Sequence, residues 1–546
     1  MRRLEDRLRE KDILSEELIN TALKKAAETH RHLAVVLLED GFVPEGILLP
    51  VLAEHHGLRL VSIESYKIDA SAVKAIPAKI AVHYKIMPLK LEDDTLTIGV
   101  YNPADLSPSE DIEANFGFRV ERVLAPKREI MEALRKYYGV GAETVERILA
   151  DTDLSLGGGY LYKDETQDLE KAADDASVIK LVNQLVQEAI QDNATDIHFE
   201  ALRDGVSIRR RIDGILFETS VPRNIRLLYQ AIVTRLKLMA GLDIVERRLP
   251  QDGKARVKIG NREYDLRISI VPAIHGEDVV IRILPAAMLF DLGQLGFSET
   301  HLKALEKYLS KPYGIIFITG PTGSGKSTTL YACLNKLNSR EKKIITIEDP
   351  VEYELRGLIQ TQINPSIGLT FARALRSMLR HDPDIMMVGE VRDKETAEIA
   401  IQTAMTGHLV LSTLHTNDAA SAAVRLMDMG IDPYLIASTV HVFIAQRLVR
   451  SICSNCKEKA YHGNSVRYRG RGCRMCRNTG YSGRVAICER VEVTDDVREL
   501  ILKRATAAEI RRAADAAGLE TLAADGFQKV EAGITTEEEI LRVTFV

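Results

Sequence analysis

The sequence predicts a multidomain α/β protein, and three observations carry that expectation: the chain length, a run of alternating strands and helices between about 291 and 452, and two CxxC pairs just after it. At 546 residues the chain is several times the size of a single domain of roughly 100–200 residues. Hydrophobic residues at 45% and charged residues at 28% exclude a disordered, collagen-like or disulfide-scaffold chain. Lys and Arg number 73 against 78 Asp and Glu, a net charge of -5 that is too balanced for wholesale wrapping of nucleic acid. Aromatic residues are 5% with no Trp, which leaves little material for stacking bases.

Taken in order, residues 1–60 carry leucines and alanines at helical spacing, broken by Gly41 and Pro44, and predict a helical head. Residues 61–140 read as a small α/β domain, with a strand at Thr95–Val100 and an amphipathic segment at Lys127–Tyr137. The stretch 141–176, with Gly157-Gly158-Gly159 followed by six acidic residues, has little to bury and predicts a flexible linker. Residues 177–290 open on an amphipathic helix and continue in β-rich segments, which predicts an α+β domain. Residues 291–452 alternate apolar strands (Ile315–Ile318, Ile344–Ile347, Ile385–Val388, Leu409–Ser412) with helices, the pattern of a wound sheet. A cysteine-bearing insert at 453–490 and a helical tail at 491–546 complete the chain. The charged start MRRLEDRL is unlike a signal peptide, and no apolar run approaches the roughly 18 residues of a membrane span. A cytosolic location is expected.

Residues Gly320, Pro321, Thr322, Gly323, Ser324, Gly325, Lys326, Ser327 and Thr328 fit GxxxxGK[ST] between a buried strand and a helix, the setting that gives this motif its meaning. The glycines let backbone N–H groups converge on phosphate oxygens at a helix N-terminus. Lys326 then reaches the terminal phosphates, and Ser327 offers a hydroxyl to Mg²⁺. Two acidic groups follow at strand ends: Glu348 after Ile344–Ile347, and Glu390 after Ile385–Val388. Wound sheets place ligands there, and such carboxylates equally cap helices or line a solvated rim. His415 ends a third strand and reads either as a structural hydrogen-bonder or as a sensor of the terminal phosphate.

Cys453, Cys456, Cys473 and Cys476 form two CxxC pairs separated by 16 residues, the spacing of a structural Cys₄ zinc site. Between Cys453 and Arg490 there are nine Lys or Arg against two Asp or Glu. That excess suits nucleic acid, an acidic lipid surface, an acidic protein face, or simply a solvated basic knuckle.

With GPTGSGKST, TIEDPVEYEL, DPDIMMVGEVRD, GHLVLSTLHTNDA and the CxxC…CxxCxxTGYSGR stretch in place, the sequence resembles the type II secretion and type IV pilus assembly ATPases. The resemblance extends to NATDIHFE, RRRIDGIL, YDLRISIVPAIHGEDVVIRIL and GITTEEEILRVT, and is dense from about 176 to 545. It implies a PAS-like middle domain, a RecA-like P-loop core, ATP with Mg²⁺, and a homohexameric motor at inner-membrane platform proteins. It further implies that Glu348 activates water, that Glu390 is the carboxylate of the second acidic box, and that Arg267, Arg282 and Arg484 supply guanidinium groups to nucleotide. Residues 32–55 resemble a helical domain that binds a cyclic dinucleotide in some members. Here His32, Ala34 and His55 replace the usual arginine, glycine and glutamine, which puts cyclic-dinucleotide binding in doubt and favours a protein-docking head. The rival expectation is a nucleic-acid-handling ATPase that grips a strand with the basic zinc module.

Overall fold

Four helices open the chain, Leu4–Glu10, Glu16–Thr29, Leu33–Glu39 and Glu45–His56. Ser15 caps the second by accepting from Leu18 N, and Gly57, at φ +66°, closes the fourth. Their apolar stripes, including Leu8, Ile19, Leu37, Leu48 and Leu52, meet in one core. The computed structural model describes residues 4–151, 175–285, 291–462 and 465–544. Two units are distinguished, Met1–Ile259 with Tyr264–Ile283, and Gly260–Glu263 with Leu284–Val546.

After the head, β1 (Arg59–Leu60), β2 (Met87–Glu92), β3 (Thr95–Val100) and β4 (Arg119–Leu124) form a sheet in the order β1-β4-β3-β2. Because β1 begins at Arg59 and pairs with β4, it lies on the head side of the division expected at 60. Ala142–Asp151, expected as the start of a linker, is instead a helix whose Val145 and Ile148 are buried in one core with Leu181 and Leu185. The glycine-rich and acidic composition further along masked that short apolar repeat. Gly157, Gly158, Gly159 and the acidic residues from Asp164 to Asp174 lie outside the described residues.

A helix, Ala176–Gln191, is capped by Asp175, whose carboxylate accepts from Ser177 N at 2.6 Å. The strands β5 (Asp196–Leu202), β6 (Gly205–Ile212), β7 (Ile215–Glu218), β8 (Gln251–Ile259), β9 (Arg262–Ala273) and β10 (Gly276–Pro285) follow as a six-stranded sheet ordered β7-β6-β5-β10-β9-β8. The helix Tyr229–Ala240 joins Ala176–Gln191 in covering its apolar residues.

The second unit is built on β11 (Gly314–Thr319), β12 (Ile344–Glu348), β13 (Ile359–Gln362), β14 (Ile385–Val388), β15 (Leu409–Leu414), β16 (Val440–Ile452) and β19 (Tyr481–Glu492), ordered β13-β12-β14-β15-β11-β16-β19. Every pair is parallel except β16 with β19. The central strand explains the wound arrangement: Ile315 and Phe317 of β11 belong to one core and Ile316 and Ile318 to another, so both faces are covered. The hairpin β17 (Lys457–His462) and β18 (Ser465–Gly470) lies between β16 and β19. Consequently β19, which starts inside the 453–490 insert expected from sequence, is an edge strand of the main sheet, and Arg484 pairs in register with Arg450. The tail forms four helices, Asp495–Leu502, Ala507–Ala516, Leu522–Glu531 and Glu537–Thr544. Thr494, Thr506 and Thr521 cap the first three.

Candidate functional site

Parallel strands end together, and here their C-terminal edge gathers the residues singled out from the sequence. Gly320 follows β11, Glu348 closes β12, Glu390 lies two residues past β14, and His415 follows β15. Thr319 and Thr416 tie two of these strand ends, their hydroxyls 2.7 Å apart.

The loop between β11 and the helix Lys326–Leu337 has Gly320, Gly323 and Gly325 all at positive φ. At Gly320 a Cβ would lie 2.6 Å from both Gln446 O and Ser324 Oγ, so only glycine passes there. Gln446, on β16, clamps the loop: its Nε2 donates to Ser324 O at 2.9 Å, and its Oε1 accepts from Thr329 Oγ1 at 2.8 Å. Lys326, only 9% exposed, folds back over the loop and donates to Gly320 O at 2.7 Å and Pro321 O at 3.0 Å. Burial brings its ammonium down to about 8, with nearby Glu390 acting against that shift and Arg447 adding to it.

Glu348 is 3% exposed and its carboxylate is fully engaged by neutral donors. Oε2 accepts from Tyr331 OH, while Oε1 accepts from Thr346 Oγ1 at 2.6 Å and from Gln360 Nε2 at 3.2 Å. Tyr331 OH also accepts from the backbone N–H groups of Glu352 and Tyr353. Burial and the adjacent Glu348 push the Tyr331 phenol well above its ordinary range. Glu390 is held differently, by His415 Nε2 at 3.2 Å and by the Arg392 guanidinium at 2.5 Å.

The three arginines are not equivalent in position. Arg267 and Arg282 lie on β9 and β10 of the first unit, where Arg282 Nε donates to Asp196 Oδ1 at 3.0 Å. Arg484 is exposed on β19. Other arginines, not singled out from the sequence, flank the loop itself: Arg447, Arg511 and Arg542 line a cleft of about 630 Å³ together with Pro321 and Asn417. Arg447 donates to Asn417 O at 2.8 Å, and Arg511 pairs with Asp418 at 3.1 Å. Their signal is faint in sequence because they enter from β16 and from the C-terminal helices, far along the chain from Gly320.

The four cysteines converge. Their sulfurs all lie within 4.8 Å of one another, with Cys453–Cys473 at 3.8 Å and both Cys456–Cys476 and Cys473–Cys476 at 3.7 Å. Tetrahedral zinc with Zn–S bonds near 2.3 Å sets sulfurs about 3.8 Å apart, so the dimensions fit. Asn455 Nδ2 and the backbone N–H of Cys476's neighbours Cys473 and Gly480 point at these sulfurs, as they do around thiolate ligands. Hydrogen bonds, first from Asn455 and then from the backbone, draw the Cys473 thiol down to about 6. The basic excess around the cysteines is partly spent on ion pairs, among them Arg469 with Glu458 and Arg490 with Glu492. In the head, His32 caps the helix Leu33–Glu39 by accepting from Ala34 N, and Ala34 is buried in that core.

Comparison with known proteins agrees with this geometry. The family described as Type II/IV secretion system protein matches residues 171–542, and the MshEN domain matches residues 56–144. The type IV pilus assembly ATPase PilB of Myxococcus xanthus is 38% identical over 99% of this chain and 98% of its own length. The type II secretion system protein E of Pseudomonas aeruginosa is 47% identical over 70% of this chain and 78% of its own. The ATPase DotB of Legionella pneumophila shares the fold, with a TM-score of 0.51 at 23% identity over 66% of this chain and 94% of that one. No described helix is long and apolar enough to cross a membrane. The chain belongs to the type II/IV secretion system protein family, whose relatives here are the ATPases of type II secretion and type IV pilus assembly.

Proposed function

We propose that the protein is a Mg-ATP-hydrolysing motor, working as a homohexameric ring at an inner-membrane platform to power type II secretion or type IV pilus assembly. The observation that carries this reading is the strand-end constellation, in which one phosphate loop and two differently held carboxylates share an edge of one sheet. In this reading the loop N–H groups and Lys326 take the ATP phosphates, and Lys326 exchanges its two backbone carbonyls for phosphate oxygens. Glu348, aimed by Tyr331, Thr346 and Gln360, accepts a proton from the attacking water. Ser327 and Glu390 would hold Mg²⁺, which when bound offsets charge on the phosphates. His415 orients Glu390 and responds to the terminal phosphate from the neighbouring strand end.

Arg267, Arg282 and Arg484 are assigned to neutralising charge on bound nucleotide, in keeping with the fixed charge of guanidinium. Residues 177–290 are assigned a PAS-like fold, and Cys453, Cys456, Cys473 and Cys476 a structural zinc that closes the loop between β16 and β19. The N-terminal helices and the 56–144 region are assigned to docking on the membrane platform, and a cyclic dinucleotide is left out of the ligand set because His32 and Ala34 are committed to a helix start.

ATPase assays on the full chain test the reading. Turnover should rise with purified platform components or with acidic lipid vesicles and should not respond to DNA. Stimulation by DNA, steeply reduced by salt, would replace the motor reading with a nucleic-acid one.

A further inference from the structure

Away from the phosphate loop, the geometry points to a second metal site: His301, Cys488 and Asp525 form a buried trio of nitrogen, sulfur and oxygen donors suited to a borderline-soft divalent cation of the zinc class. The trio joins three separate elements, the helix Glu299–Leu309, the edge strand β19 and the helix Leu522–Glu531. A ring nitrogen, the thiol sulfur and a carboxylate oxygen all lie within 4.8 Å of one another. The three residues are 4%, 1% and 0% exposed. Zinc bound at about 2.0–2.3 Å brings such donors to roughly 3.3–3.8 Å apart, so the trio needs to contract by at most about 1.5 Å.

What distinguishes a ligand set from a buried polar knot is how each residue spends its other atoms. His301 Nδ1 lies 2.7 Å from Ser298 Oγ, and its Nε2 has no hydrogen-bond partner. Asp525 Oδ2 accepts from Lys529 Nζ at 2.6 Å and from Cys488 N at 2.8 Å, while its Oδ1 has no partner either. Unpaired buried atoms occur elsewhere among the described residues, His198 Nε2 among them, but here a ring nitrogen and a carboxylate oxygen are left unpaired in one cluster with a thiol. Outer partners that fix a ring and a carboxylate while leaving one donor atom of each unengaged are the arrangement metal ligands use.

Charge balance is compatible. A dication is offset by the Asp525 carboxylate and a Cys488 thiolate, with the thiol proton released on binding. The Lys529 ammonium adds one positive charge, and Glu520 Oε2, 3.7 Å from His301 Nδ1, offsets it. Arg490 is already paired with Glu492 at 3.0 Å. The site would act as a clasp, holding the last part of the chain to the edge of the nucleotide-binding sheet, and is separate from the four-cysteine cluster.

Metal analysis of the full chain, loaded with zinc and then exhaustively dialysed, tests this. The wild-type protein should retain a second equivalent of zinc beyond that of the four-cysteine cluster. Cys488→Ala and His301→Gln should each remove one equivalent, and Cys473→Ser should remove the other and leave this one in place. Cobalt substitution gives an independent readout, because Cys488→Ala should delete one set of thiolate-to-cobalt absorption bands and spare the rest. His301→Gln keeps the test open should Cys488→Ala fold poorly, with far-ultraviolet circular dichroism as the control. Unchanged zinc in both variants, or zinc lost from all protein on Cys473→Ser alone, overturns the proposal and leaves the two unpaired atoms to a bridging water.

Discussion

Glu348 and Glu390 look alike in the sequence, each an acidic residue at the end of an apolar strand in the same sheet, yet the structure gives them opposite surroundings. Glu348 is engaged by a phenol, a hydroxyl and an amide, all neutral. Glu390 touches a guanidinium and an imidazole. Neutral donors orient a carboxylate without cancelling its charge, which suits a group that must receive a proton. A guanidinium and a ring nitrogen hold a carboxylate in place from two sides, which suits one that supports a metal. Strand-end position alone singles out both carboxylates, and the roles proposed for them rest on the different side chains around each.

The largest expected effect, a combined loss of ATP binding and turnover, comes from removing the ammonium at the phosphate loop. Lys326→Ala should lower turnover by at least about 10²–10³-fold and weaken ATP binding, as measured by steady-state assay and fluorescent-nucleotide titration. Glu390→Gln should raise the magnesium requirement by about 10–100-fold while ATP still binds without the metal; an unchanged magnesium dependence would erase the distinction between the two carboxylates. Tyr331→Phe removes one neutral donor from Glu348, worth about 1.5 kcal/mol for a bond to a charged group, and should reduce turnover roughly tenfold with ATP affinity retained. An equal loss of affinity would instead make Tyr331 a packing residue.

The smallest effect is a pH dependence at Lys326, whose ammonium is brought down to about 8 in the unliganded fold. Between that value and the ordinary lysine range the folded protein binds fewer protons than the unfolded chain, so this group's burial penalty is present below about 8 and is relieved as pH rises. Phosphate favours the protonated form, so ATP binding should take up a proton and weaken above about pH 8. Calorimetry in buffers of differing ionisation enthalpy measures that uptake.

Much of this was legible in the sequence because it is local. The phosphate loop, the paired cysteines and the apolar strands before Glu348 and Glu390 each declare themselves within about two dozen residues. Gln446 does not: it reaches Ser324 and Thr329 across more than a hundred residues, and only strand order places β16 beside β11. Tyr331 and Gln360 were hidden for the same reason, since an ordinary helical tyrosine and the polar edge strand β13 carry no motif. The helix Ala142–Asp151 carries too short an apolar repeat, Val145 and Ile148, to stand out against the glycine-rich and acidic composition that follows it. His301, Cys488 and Asp525 sit in three unrelated segments, and nothing short of the packed fold brings them together.

The most direct test of the account is ATP binding and single-turnover hydrolysis measured on Glu348→Gln in the full chain. The surroundings of Glu348 predict that ATP binds with wild-type affinity and stays intact, with hydrolysis slowed by about 10²–10⁴-fold, the range for loss of a general base. Hydrolysis at the wild-type rate, or loss of ATP binding together with turnover, would contradict the account and return Glu348 to a structural role.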